Sequence, residues 1–212
     1  MKTNDLIVRL AADTRPVPQN AVGKRLAAGI AVGAAASAAL VLLWLGPRQD
    51  VAEAIHRASY GVKWSYTLSL AAAALAMTAQ LARPGGRVRG LWLTAIPEFF
   101  LAAVGVVELA RTRRADWLAM WLGRSWVQCP WFVLLFAVPI FVGLLWSFRR
   151  LAPTRLRAAG AAAGLTAGAF AASVYCLHCP EVSAVFVLTW YSLGILLATL
   201  VGALLGPRLL RW

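Results

Sequence analysis

Long apolar runs separated by short polar gaps set the pattern of this chain. Crossing about 30 Å of hydrocarbon takes about 20 apolar residues. Six runs meet that length, at roughly 26–45, 62–81, 91–109, 127–148, 156–176 and 184–205. Ala, Gly, Leu and Val dominate them, and Lys and Arg are almost absent. The pattern predicts an all-α membrane protein with six transmembrane helices paired as three hairpins. A polar tail, 1–25, precedes a transmembrane domain over 26–212. The first run starts near residue 26 and ends without a small-residue cleavage site, so it reads as a retained first span.

Two polar gaps look alike: Leu81-Ala82-Arg83-Pro84 and Leu151-Ala152-Pro153-Thr154-Arg155. Both carry the chemistry of a helix stop, basic residues and then proline. The fifth run is mostly Ala and Gly over 158–172, which predicts a helix packed centrally among the others. Trp44, Trp64, Trp126, Trp131, Trp146 and Tyr66 fall near run ends, as interfacial anchors do. Trp117, Leu118, Trp121 and Leu122 repeat at helical spacing beside Arg113, Arg114 and Asp116. That segment predicts a short amphipathic helix lying in the interface.

Composition agrees with the pattern: of 212 residues, 61% are apolar and 14% charged. A net charge of +13 raises the question of nucleic acid. Its distribution answers otherwise, because the cations sit in the gaps between apolar runs. With an inside N-terminus, 14 Lys and Arg lie on the inner side and 7 on the outer. The rule that inner loops are basic then places both termini in the cytoplasm. The partners implied so far are the lipid bilayer and no nucleic acid.

The tail has its own pattern. Thr3 can cap a short helix with Asn4 and Asp5 in its first turn and Leu6, Ile7 and Leu10 along one side. Asp13-Thr14-Arg15-Pro16-Val17-Pro18 ends it. One or two turns of helix are marginal in water, but a narrow apolar stripe can dock in a partner's groove. Asp5 and Asp13 disfavour the alternative of lying on anionic lipid.

Sulfur, imidazole and carboxylate meet in Cys176-Leu177-His178-Cys179-Pro180-Glu181, with Cys129 far upstream. The predicted topology puts all three thiols on the oxidising face. Cys129 and Cys179 can form a structural staple or a switch, leaving one thiol for exchange. Cys176 and Cys179 also have the spacing of a redox dithiol, with His178 placed to favour a thiolate. A metal reading uses Cys129, His178 and Cys179, with Cys176, Glu181 or His56 as further ligands, and suits a thiophilic ion. Glu98, inside the third run beside Pro97, is either a proton site or a carboxyl bonded to Ser65, Tyr66 or Ser69. No phosphate loop, nucleophile elbow or HExxH element occurs, so enzymatic catalysis has no motif beyond the thiols.

Several stretches carry a family resemblance: Thr3-Asn4-Asp5-Leu6-Ile7 with Leu10-Ala11-Ala12-Asp13, Arg149-Arg150-Leu151-Ala152-Pro153-Thr154-Arg155, and His178-Cys179-Pro180-Glu181. Trp190-Tyr191-Ser192-Leu193-Gly194-Ile195 and Gly206-Pro207-Arg208-Leu209-Leu210-Arg211-Trp212 add to it. The chain resembles the NrsF family of membrane anti-sigma factors over nearly its whole length. That resemblance implies a six-span protein of the bacterial inner membrane whose cytoplasmic N-terminal segment sequesters an extracytoplasmic-function sigma factor. Thr3, Asp5, Leu6, Ile7, Leu10 and Asp13 would meet that partner.

It also implies two periplasm-facing cysteines in signal response, matching Cys129 and Cys179, while Cys176 lies outside the pattern. His178 and Glu181 would belong to the sensing element. No resident cofactor is implied; oxidant or a transient thiophilic metal ion would be the stimulus. Two rivals stand beside this reading. One is a quinone-coupled thiol-disulfide oxidoreductase using Cys176 and Cys179, and the other a small transporter using Glu98.

Overall fold

A computed structural model describes residues 3–12, 20–86, 90–149 and 151–211. The described residues are helical without strands. Helix α1 is Thr3–Ala12. Helix α2, Ala21–Leu45, ends in a π-helical turn. The one-turn α3 covers Val51–Ala54, α4 Ala58–Leu81 and α5 Trp92–Arg111. The short α6 is Trp117–Leu122, followed by α7, Gln128–Phe148, and α8, Leu156–Tyr175. Helix α9, Ala184–Leu209, contains a π-helical turn at Val187–Tyr191.

Among the described residues, five helices (α2, α5, α7, α8 and α9) are long and apolar enough to cross a membrane. The expected second span lies within α4, which has the length but is too polar to join that set. Tyr60, Lys63, Tyr66, Thr67 and Thr78 lower its apolar character, and all five are buried inside the bundle. Thr78 and Thr166 share a 2.9 Å hydroxyl hydrogen bond between α4 and α8. Such side chains are tolerated in an apolar environment when partnered within the protein.

Helix α8 is the most buried of the five apolar helices, as its Ala and Gly content predicts. It packs against α9, α4 and α7, and α2 packs against α7. Close backbone approach explains the small residues. A Cβ at Gly160 would run into the Gly202 carbonyl, and one at Gly29 into that of Gly143. Between α2 and α7, Ser147 Oγ also donates to Arg25 O at 2.8 Å. Without a hydrophobic drive in lipid, this contact between small residues is what holds helices together.

The pairings define two ends of the bundle. Gly29 opposes Gly143 while Trp44 meets Phe132, so α2 and α7 are antiparallel. Gly160 opposes Gly202 while Gly168 opposes Ile195, so α8 and α9 are too. The start of α2 and the end of α9 therefore share one end. The turns after α4 and α7 meet there as well, Gly85 N donating to Thr154 Oγ1 at 3.3 Å. All three cysteines lie at the other end, one α8 length away, about 30 Å at 1.5 Å per residue.

Three details differ from the expectations above. Tyr66 is buried rather than interfacial, because its hydroxyl is drawn to a carboxylate. Thr3 is the first helical residue rather than a cap outside the helix, and α1 runs 10 residues. Exposed Trp44, Trp126, Trp131 and Trp146 suit anchors, whereas Trp64 is only half-exposed.

Candidate functional site

The loop between α8 and α9 carries the site. Residues 176–179 continue from α8 as a tight turn, with His178 N and Cys179 N both donating to Tyr175 O. This turn folds both Cys176 and Cys179 back into the bundle, where Cys129 arrives from the first turn of α7. The three thiols are free and each is fully buried.

Four elements clamp the loop. From the segment after α2, Arg48 N donates to Leu177 O at 3.0 Å, and His178 bonds Gly46 O through Nδ1 at 2.9 Å. A carbonyl only accepts, so Nδ1 carries the proton. From α4, Lys63 Nζ donates to Glu181 O at 2.8 Å and to Cys179 O at 3.2 Å. From the segment after α6, Arg124 N donates to a Glu181 carboxylate oxygen at 2.8 Å. Gly123 has φ +56, and a Cβ there would strike Glu181 and Phe186.

From α5, Glu108 Oε2 accepts from Ala184 N at 2.7 Å and from Ser183 Oγ at 3.0 Å. It therefore caps the start of α9, where the first backbone N–H groups lack helical partners. Replacing Glu108 by Ala is expected to lower stability by about 1–2 kcal/mol. Thermal unfolding in detergent reads this loss, and Glu108→Gln, which keeps an acceptor, is expected to lose less.

The electrostatics are unequal among the groups. Cys129 acts on Cys179 as a hydrogen-bond donor and, with Lys63 nearby, holds Cys179 well below the usual thiol range despite burial. Burial pushes Cys176 up to about 11. The two thiols of the C-x-x-C spacing are thus shifted in opposite directions. Arg48 pairs with Asp50 at 2.6 Å, its guanidinium lying 5.4 Å from the Tyr60 ring centre. That pairing raises Arg48 and lowers Asp50 from their ordinary values.

Cys129, Cys176 and Cys179 are brought together, and Glu181 lies on the loop's outer side. His178 is turned toward Gly46 and packs on the Tyr175 ring at 5.9 Å. Among the described residues, no three His, Cys, Asp or Glu side chains form a group able to hold a metal ion. His178 gives its Nδ1 to the Gly46 carbonyl, which leaves Nε2 as its remaining ring nitrogen. Thr3, Asp5 and Ile7 lie on α1 and are exposed. Leu6 and Leu10 are described only as positions of that helix, and Asp13 lies outside the described residues.

Glu98 lies apart from the thiols. Tyr66 Oη donates to its Oε1 at 2.8 Å, and Ser192 Oγ is 2.6 Å from the same hydroxyl. Tyr66 was among the expected partners; Ser192 was not, because only the fold brings α9 to α5. Reasoning from sequence also missed Lys63, Arg48, Glu108 and Tyr191 as parts of the thiol end. One signal was available: Lys63 and Glu108 are isolated charges close inside apolar runs, an arrangement that asks for an internal partner.

Comparison with known proteins decides the family. A family model described as "Negative regulator of sigma F", NrsF, matches residues 10–212. The chain belongs to the NrsF family. It is 40% identical over 216 residues to the "Probable anti-sigma-F factor NrsF" of Azospira oryzae. It is 39% identical over 214 residues to the "Anti-sigma-F factor NrsF" of Caulobacter vibrioides. Each alignment covers all of both chains. No solved structure matches the chain. The NrsF match thus takes in the whole thiol end and every long helix, while most of α1 precedes the first matched residue.

Proposed function

We propose that this chain is a membrane-embedded anti-sigma factor that holds a sigma factor of the sigma-F kind. The holding element is the cytoplasmic N-terminal segment containing α1, and the input is the Cys129–Cys179 pair. Full-length relation to two proteins named as anti-sigma-F factors carries this reading. Helix α4 serves as the sixth span, since its buried polar groups face protein rather than lipid. The charge asymmetry then orients both termini inward and the thiols toward the periplasm of the inner membrane. The partner is an extracytoplasmic-function sigma factor.

The mechanism follows from the two ends. Oxidation joins the Cys129 and Cys179 sulfurs in a disulfide, and two electrons and two protons pass to the oxidant. The new bond ties the start of α7 to the loop between α8 and α9 and shifts the balance between two packings of α7, α8 and α9. Moving such a balance usefully takes a few kcal/mol of differential stability. Release at the opposite end is the output. Cys129 arrives at the turn that carries Cys179, and burial raises the Cys176 thiol, which supports this reading over a Cys176–Cys179 dithiol enzyme. Capture of the host's sigma F by the full chain in detergent tests the function. Specific capture supports it, and a chain that binds no sigma factor contradicts it.

A further inference from the structure

Lys63 has the environment least expected of a lysine. It is 1% exposed, and its Nζ lies 4.7 Å from the centre of the Tyr191 ring as well as on the Cys179 and Glu181 carbonyls. Among the described residues the ion pairs are Arg48–Asp50, Arg57–Glu53 and Arg113–Asp116, so no carboxylate balances it. Burying an ammonium against neutral groups alone is costly, and an anion within reach removes most of that cost. The groups within its electrostatic reach are the three thiols.

One cysteine stands out by geometry: Lys63 Nζ and Arg48 Nη1 both donate to the Cys179 carbonyl, at 3.2 Å and 3.5 Å. Tyr191, whose ring Lys63 covers, is fully buried, and its hydroxyl has no hydrogen-bond partner. An unpartnered hydroxyl and two buried cations are thus gathered at the turn that carries Cys179. Such a site suits an acceptor without a proton, that is, a thiolate. Arg48 also reaches the Cys179 carbonyl, at 3.5 Å, but its charge is paired with Asp50, and burial raises the Cys176 thiol.

We propose that Lys63 is a positioning residue of the thiol site, the counter-ion that keeps Cys179 as a thiolate aimed at Cys129. The proposal rests on the sensing role given to these thiols above and adds the cation that makes one of them reactive. A thiolate is the nucleophile in thiol chemistry, so the charge of Lys63 sets how fast the pair responds.

The test uses the full chain in lipid nanodiscs with Cys129→Ser and Cys176→Ser, leaving Cys179 and a hydroxyl donor beside it. With Lys63 present, ultraviolet thiolate absorbance is expected at neutral pH. With Lys63→Met, the absorbance and the rate of reaction with methyl methanethiosulfonate are expected to fall about tenfold at neutral pH and to recover at alkaline pH. Lys63→Arg is expected to restore both. Absence of thiolate at neutral pH in the Lys63 protein would overturn the proposal and leave a neutral amine in its place. A pH profile unchanged by Lys63→Met would overturn it too, as would a loss that neither alkali nor Lys63→Arg repairs. Should Lys63→Met fail to fold, the absorbance of the Lys63 protein decides alone. No sigma factor enters the measurement, so its failure is separate from failure of the sensing role.

Discussion

Replacing Gly160 or Gly202 by leucine is expected to abolish the folded bundle. The two glycines face each other across α8 and α9, and neither has room for a Cβ before the opposite carbonyl is struck. Gly206 and Gly164 extend the same contact on either side. Leucine would force apart the most extensive helix pair of the molecule, and with it the platform on which α4 and α7 rest. Overpacking typically costs about 1–3 kcal/mol even where neighbours can shift, and backbone atoms cannot. Gly160→Ala is expected to show a smaller version of the same defect. Gly23→Leu and Gly61→Leu are the controls, since nothing lies within 4 Å of a Cβ at either site. Size-exclusion profiles and thermal unfolding in detergent separate the two groups. Equal stability of Gly160→Leu and Gly23→Leu would contradict the packing described.

The second large effect is on partner binding. Leu6→Asp with Leu10→Asp is expected to reduce capture of the sigma factor by about a hundredfold or more. The two positions are four apart on α1, so they share one side of a 10-residue helix. A short helix supplies few anchors, and apolar anchors at an interface are each worth about 2 kcal/mol or more when truncated. Placing carboxylates there adds their desolvation cost to the lost contact. Binding of the full chain to the sigma factor, measured by biolayer interferometry, reads the change. The glycine contacts above join α8 to α9 and lie outside α1, so the variant chain is expected to remain folded.

What the sequence made legible follows from where its signals come from. The six helices were readable because each apolar run is local, and the observed bounds differ from them by a few residues at either end. The largest shift is at α2, which begins at Ala21 because Lys24 and Arg25 extend it beyond the hydrocarbon. The central place of α8 was readable from its Ala and Gly. Clustering of Cys129 with the 176–179 turn was readable from topology, since a hairpin pattern puts both at one end.

The partners of the charges inside the bundle were not readable. Lys63 counted as a loop cation because its partners, the Cys179 and Glu181 carbonyls, lie over a hundred residues away. Tyr66 read both as an interfacial anchor and as a candidate partner of Glu98; the packing of α5 and α9 on α4 selects the second and adds Ser192. The bond from His178 Nδ1 to Gly46 was not readable either, since the two residues are 132 positions apart. Spacing shows which residues share a turn, and distant partners decide what they do there.

The central claim is that the state of the Cys129–Cys179 pair governs release of the sigma factor from the far end. Its most direct test loads the full chain, in nanodiscs, with fluorescent sigma factor and then adds a thiol oxidant. The account predicts release in step with formation of the Cys129–Cys179 disulfide. It predicts no release from the Cys129→Ser, Cys179→Ser protein and near-normal release from Cys176→Ser. Undiminished release from the doubly substituted protein would contradict it.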